Sequence, residues 1–140
     1  MIRFEPIRPT RVIGLGCQRG CTAQVLRELI TQHLHTIGLA LEDISALASI
    51  DKKADEPGLL QLAAELGLPL SFFSAEQLSK YEAHLSHRSL LAFEHSGCYG
   101  VAESAALALA AETGAAHLLI TRQKCPQATF ALAISLPIDR

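Results

Sequence analysis

The chain has 140 residues, 49% hydrophobic and 19% charged, with a formal net charge of -2 at pH 7. That length suits one core and that apolar share offsets chain entropy, so a chain disordered throughout is excluded. The scattered lysines and arginines form no basic stripe, which excludes nucleic acid, and apolar stretches such as Ala105 to Ala111 fall well short of the roughly 20 residues of a membrane span.

No basic segment followed by an apolar run opens the chain, so a cytoplasmic protein is expected. Cys17, Cys21, Cys98 and Cys125 are too few for a disulfide scaffold and are expected to be reduced. Residues 1–140 read as a single domain with its core at about 11–135, the first ten residues and the last few being frayed tails.

Arg11 to Gly16 reads as a short buried strand running into a glycine turn. From Thr22 onward, Val25, Leu26, Leu29, Ile30, Leu34 and Ile37 trace one helical stripe. Ile44 to Ile50 is a second strand. Asp55-Glu-Pro57 then supplies helix-start acids and an N1 proline before the stripe Leu59, Leu62, Ala63, Leu66, which Gly67 closes. Pro69 to Phe73 is a third strand, and Ser74-Ala-Glu-Gln77 has the form of a capping box. Leu90 to Phe93 reads as a short strand before Glu94-His-Ser-Gly-Cys-Tyr-Gly100, and alanine-rich Val101 to Thr113 as a helix with Gly114 as its C-cap. His117 to Thr121 and Thr129 to Ser135 are strands joined by Arg122 to Ala128, a connection too short for a helical crossover and therefore a hairpin. The sheet is expected to be mostly parallel with one antiparallel edge.

In such a sheet the loops at the carboxyl ends of the strands share one edge with helix N-termini, where free N–H groups and positive dipole ends favour anions. The polar residues converging there are Cys17-Gln-Arg-Gly-Cys-Thr22, Asp51 to Asp55, Ser74, His95 to Gly100 and Arg122 to Lys124. The first loop, read as Gly14-Leu-Gly-Cys-Gln-Arg-Gly20, has three residues between its last two glycines where the dinucleotide fingerprint has two, so an anion site fits better than a nucleotide site, with a plain tight turn as the bland reading. Cys17 and Cys21 flank a helix start, where thiolate pKa values fall, but no second Cys or His pair stands at metal-ligand spacing near them. His84 and His87 read as exposed surface histidines rather than ligands. No metal site or cofactor is expected, and the absence of both a nucleophile elbow and a Walker loop leaves the reaction open.

The segments Gly14 to Gly20, Ala48-Ser-Ile-Asp-Lys-Lys-Ala-Asp-Glu-Pro-Gly-Leu59, Pro69 to Leu78, Gly97-Cys-Tyr-Gly-Val-Ala-Glu-Ser-Ala-Ala106 and Leu118 to Thr129 resemble the CobE family of cobalamin biosynthesis and the C-terminal domain of CbiG. The resemblance runs from about Arg11 to Ser135, with Ala-Ser-Ile-Asp-x-Lys as its most specific piece. Glu103 matches the family's pattern; Ser104 stands where that pattern more often has proline, which bears on the helix start.

The resemblance implies a cobalamin-pathway protein that binds a corrin-ring intermediate, a large flat ligand rich in carboxylates, with other enzymes of the pathway as further partners. The expected fold is α/β, a three-layer Rossmann-like sandwich with a mostly parallel sheet and an antiparallel edge hairpin. The expected ligand-binding residues are Gly16, Cys17, Arg19, Gly20, Cys21, Thr22, Asp51, Lys52, Ser74, His95, Gly97, Gly100, Glu103 and Lys124. An accessory or carrier role leads. Its rivals are a hydrolase that opens a lactone ring of a precorrin, with Asp51 or Glu103 as general base and Lys124 or first-loop amides at the oxyanion, and a nicotinamide nucleotide-binding module.

Overall fold

The computed structural model describes residues 9–86, 88–90, 93–94 and 97–136. Its strands are β1 (Thr10–Cys17), β2 (Ala46–Ile50), β3 (Leu70–Phe73), β4 (Ala116–Cys125) and β5 (Ala128–Ser135), and its helices are α1 (Ala23–Thr36), α2 (Pro57–Leu66), α3 (Ala75–Ser79) and α4 (Val101–Ala110). The five strands form one sheet in the order β3-β2-β1-β5-β4. β3, β2 and β1 pair in parallel, and β5 pairs antiparallel with both β1 and β4. β4 therefore points the same way as β1, and four strand ends share one edge with the starts of the helices.

Alternation along the strands sorts side chains into two cores. Ile13, Leu15, Leu47, Phe130 and Leu132 face α1 and α2, meeting Leu26, Ile30, Leu59 and Leu62. Val12, Ala48, Ile50 and Ala133 face α3 and α4, meeting Leu78, Ala105 and Ala106. Helices thus cover both faces, the layered arrangement expected of a parallel sheet.

Several local signals behave as their chemistry requires. Thr22 Oγ1 accepts the Val25 N–H at 3.2 Å to cap α1. Ser74 and Gln77 form the reciprocal capping box at α3. Gly67 ends α2 with φ 66°, a left-handed value that glycine adopts at least cost.

Four expectations are corrected. Gly14 and Gly16 lie inside β1 rather than in the loop, so the turn begins only at Gln18. The stretch read as a strand from Leu90 to Phe93 is helical at Leu90 and Phe93, the Phe93 N–H donating to the Ser89 carbonyl at 3.1 Å, with residues 91 and 92 outside the described set. α4 stops at Ala110 instead of reaching Gly114, because the Thr113 hydroxyl bonds to the Ala110 carbonyl, Thr10 and Ser135 and turns the chain toward the sheet. The β4–β5 hairpin is tighter than the seven-residue connection expected: both strands extend, leaving Pro126 and Gln127 as the turn and placing Arg122 and Lys124 on β4 itself.

Gly14 sets the distance between sheet and helix. A Cβ there would sit 1.8 Å from the Ala102 carbonyl oxygen and 2.8 Å from the Ala106 nitrogen, both backbone atoms of α4. Only glycine lets α4 lie this close to β1. Gly14→Ala is therefore expected to lower unfolding free energy by about 2 kcal/mol or more, the scale of overpacking, as measured by urea denaturation. A loss under about 0.5 kcal/mol would contradict this close packing.

Candidate functional site

The carboxyl ends of β1, β2, β3 and β4, at Cys17, Ile50, Phe73 and Cys125, meet the starts of α1, α2, α3 and α4 along one edge. The α1/α2 side and the α4 side of that edge are chemically different.

On the α1/α2 side the loop uses its own donors. Gly20 takes φ +86° and its N–H donates to Glu56 Oε2 at 3.0 Å; Glu56 is only 5% exposed. The Gln18 N–H donates to the Gln127 carbonyl at 2.8 Å and the Cys21 N–H to the Gln18 carbonyl at 3.1 Å. Gly58 presses against this loop, since a Cβ there would lie 2.0 Å from the Cys21 carbonyl oxygen. Arg19 projects from the turn, exposed. The expectation of lowered thiol pKa values is overturned. Burial pushes the Cys17 thiol up to about 12, against a smaller opposing pull from Lys53, and burial also raises Cys21, helped by Cys125 and Glu56. Both thiols stay protonated at neutral pH, so neither is an activated nucleophile.

The α4 side is built differently. Across the sheet Gly16 pairs with Thr129 and Thr129 with Lys124, so these residues form one row on the face that α4 covers. A Cβ on Gly16 would lie 2.6 Å from Thr129 Oγ1 and 3.7 Å from the Val101 Cβ, which puts the row directly beside the first residue of α4. The α4 N-cap is Gly100, which has no side chain to offer, and among the described residues no acceptor meets the N–H groups of Val101, Ala102 and Glu103. Lys124 is exposed on β4. Asp51 and Lys52 lie exposed on the turn that follows β2, and among the described residues Asp51 makes no side-chain hydrogen bond. Ser74 is engaged in its capping box. Gly97, with φ +79°, donates its N–H to the Phe93 carbonyl at 2.7 Å. His95 lies outside the described residues.

Glu103 is 1% exposed, and its carboxylate is fully engaged. It accepts the Ser86 N–H at 2.8 Å, the Ser86 hydroxyl, and the Arg122 N–H at 2.8 Å. The Arg122 amide is available because the β4–β5 register slips between Ile120 and Gln123, a bulge that releases it from the ladder. Such a carboxylate, buried and ringed by donors, acts as a fastener, in contrast to the general base anticipated from sequence. Ser104 donates its N–H to the Gly100 carbonyl at 3.0 Å and so makes the first intrahelical bond of α4, which a proline at this position cannot make.

Sequence reasoning placed Gly16, Gly100, Lys124, Asp51 and Lys52 at the sheet edge where the structure has them, but did not single out Thr129 beside Gly16 or recognise Glu56 as an internal acceptor. Thr129 was detectable as the residue opposite Gly16 once the hairpin was registered. Glu56 resembled an ordinary helix-start acid, and no local pattern announces a partner thirty-six positions away. The nucleotide reading loses its loop, since Gly14 and Gly16 are strand residues.

Residues 11–133 match the family described as Cobalamin synthesis G C-terminus. The chain is 36% identical over 122 residues to Protein CobE from a Sinorhizobium species, covering 87% of this chain and 78% of that protein. It is 31% identical over 127 residues to Cobalt-precorrin-5A hydrolase of Priestia megaterium, covering 91% of this chain and 32% of the hydrolase, so it spans about a third of that relative. The crystal structure of CobE, a protein from the cobalamin (vitamin B12) biosynthetic pathway, superposes with a TM-score of 0.88 at 42% identity over 96% of each chain. Cobalamin biosynthesis protein chiG from Agrobacterium tumefaciens str. C58 superposes at 0.68 with 29% identity, over 90% of this chain and 98% of that one. These matches bear out both the resemblance read from the segments and the expected layered α/β architecture.

Replacing Glu103 with glutamine keeps the shape but turns one acceptor into a donor that faces Ser86 or Arg122. Glu103→Gln is expected to cost about 1–3 kcal/mol, the penalty of an unsatisfied buried donor, and to speed hydrogen exchange at the Arg122 amide. Unchanged stability and unchanged exchange at that amide would remove Glu103 from this role.

Proposed function

The chain belongs to the cobalamin biosynthesis family of CobE and the CbiG C-terminus, and from that premise we propose that it binds a corrin-ring intermediate at the α4 side of the shared edge as an accessory or carrier protein. The observation that carries this reading is the contrast between helix starts. Thr22 and Ser74 cap α1 and α3, and α2, without a side-chain cap, starts on Pro57, which has no N–H to satisfy, whereas α4 begins at a bare glycine near Gly16 and Thr129. An uncapped helix start with a cation in the adjacent row suits a carboxylate. Lys124 and Lys52 supply charge to peripheral carboxylates, and Arg19 supplies more at the far side of the edge. Among the described residues no helix is long and apolar enough to cross a membrane, which fits a cytoplasmic carrier.

The hydrolase reading keeps one observation in its favour. Glu56 and Glu103 are buried and accept backbone N–H bonds, whereas Asp51 is exposed at the edge with its carboxylate unengaged among the described residues. In that reading Asp51 is the general base and the α4 amides meet the oxyanion. Its reaction class is the one that the names of the longer relatives print, of which the chain spans about a third.

Incubating the protein with carboxylated corrins and precorrin-stage intermediates separates these readings. A carrier shifts the visible absorbance and co-elutes with a ligand of unchanged mass, while a hydrolase returns a ligand one water heavier. Lys124 is exposed, so Lys124→Ala is expected to weaken binding by about 0.5–1 kcal/mol at low salt, an effect that shrinks as the Debye length falls below about 10 Å. No absorbance response to any corrin, with nicotinamide nucleotides binding instead, would overturn the proposal.

A further inference from the structure

We infer that Phe93 and Tyr99 form a stacking platform for the face of the bound macrocycle, an inference that rests on the corrin-binding reading above. The two rings lie 4.5 Å apart between centroids with an interplanar angle of 22°, a stacked pair. Phe93 is 40% exposed, and Leu90, three residues earlier, is 64% exposed. The guanidinium of Arg88 sits 5.8 Å from the Tyr99 centroid, with Nη2 donating to the Glu82 carbonyl at 3.3 Å.

This pair is unusual for the chain. Of its five phenylalanines and two tyrosines, with no tryptophan, Phe72, Phe73, Phe130 and Tyr81 pack against the two cores. Among the described phenylalanines and tyrosines Phe93 is the exposed one, and it stacks on half-buried Tyr99. What sets Phe93 apart from the other exposed apolar residues is its stacked aromatic neighbour, which offers a ligand ring a flat apolar surface.

The backbone fixes the rings in place. The Ser89 N–H donates to the Tyr99 carbonyl at 3.0 Å, and the Gly97 N–H to the Phe93 carbonyl at 2.7 Å. Gly97 is held at φ +79° with its missing Cβ 3.3 Å from the Ala75 Cβ, so the segment is pressed onto the start of α3. Tyr99 immediately precedes Gly100, the N-cap of α4, so the backbone ties the pair directly to the uncapped helix start.

The occupant follows from shape and charge. A flat conjugated ring gains from lying over a stacked aromatic pair, and carboxylate arms at its rim meet Arg88 on one side and the α4 amides on the other. A linear peptide or a compact anion uses one of these features and leaves the other empty. The platform supplies affinity for the ring face, and the cations of the edge supply affinity for the rim.

Cobyrinic acid, a corrin with carboxylate side chains, is the probe, with its dissociation constant read by absorbance titration. Phe93→Ala is expected to weaken binding about tenfold, the scale of a lost stacking contact plus its buried area, and Phe93→Tyr to bind as the wild type does. Because the contact is apolar, the ratio between wild type and Phe93→Ala is expected to persist at high salt, unlike that of Lys124→Ala. The thermal midpoint of each variant, expected to be unchanged at this exposed position, confirms the fold. If wild type binds and both Phe93→Ala and Phe93→Leu bind equally well, the platform is overturned while the binding reading stands. If wild type does not bind, the binding reading falls and the platform with it.

Discussion

The carboxylate of Glu103 holds together three parts of the chain. It lies on the first turn of α4, takes two donors from Ser86 and takes a third from Arg122 on the edge strand. A buried carboxylate needs such donors to offset desolvation, so its position fixes theirs: the segment before α4 and the bulged end of β4 must both come to it. Gly14 adds the complementary constraint from beneath, because without a side chain there α4 settles directly onto β1. Together they determine where the α4 start stands, and hence where its unshared amides face.

The rest of the edge divides its capacity for anions. Thr22 occupies the first turn of α1, and Glu56 occupies the Gly20 amide, so the glycine loop that most resembles a phosphate cradle is satisfied by the protein itself. The protonated thiols of half-buried Cys17 and buried Cys21 line this closed side. Across β1, no side chain caps α4 at Gly100, while Thr129 and Val101 close over Gly16 and Lys124 stands exposed in the same row. A ligand with several carboxylates and a flat apolar face is the kind of molecule that such an edge accommodates, and the proposed function draws on that division as much as on family membership.

Much of this architecture was legible in the sequence because it rests on local chemistry. The 3.6-residue stripe of α1, the capping box at Ser74, the proline and glycine that bracket α2, and the short hairpin each carry their cause within a few residues. What escaped reading depends on partners distant in sequence. Gly14 looked like part of a loop because glycine in a strand makes sense only once α4 lies above it. Glu103 looked available for catalysis until Ser86 and Arg122 arrived to engage it, and the latter required a bulge that no propensity encodes. The helix was extended too far because the pull of Thr113 toward Thr10 and Ser135 comes from opposite ends of the chain.

That the ligand meets the α4 side of the edge and not the glycine loop can be decided by mapping it on isotope-labelled protein. Amide chemical shifts followed through a titration with cobyrinic acid are expected to move most at Gly16, Val101, Ala102, Lys124 and Thr129, while Gly20 and Val25, already bonded to Glu56 and Thr22, move little. The largest shifts falling on Gln18 to Val25, with the α4 start unmoved, would contradict the account.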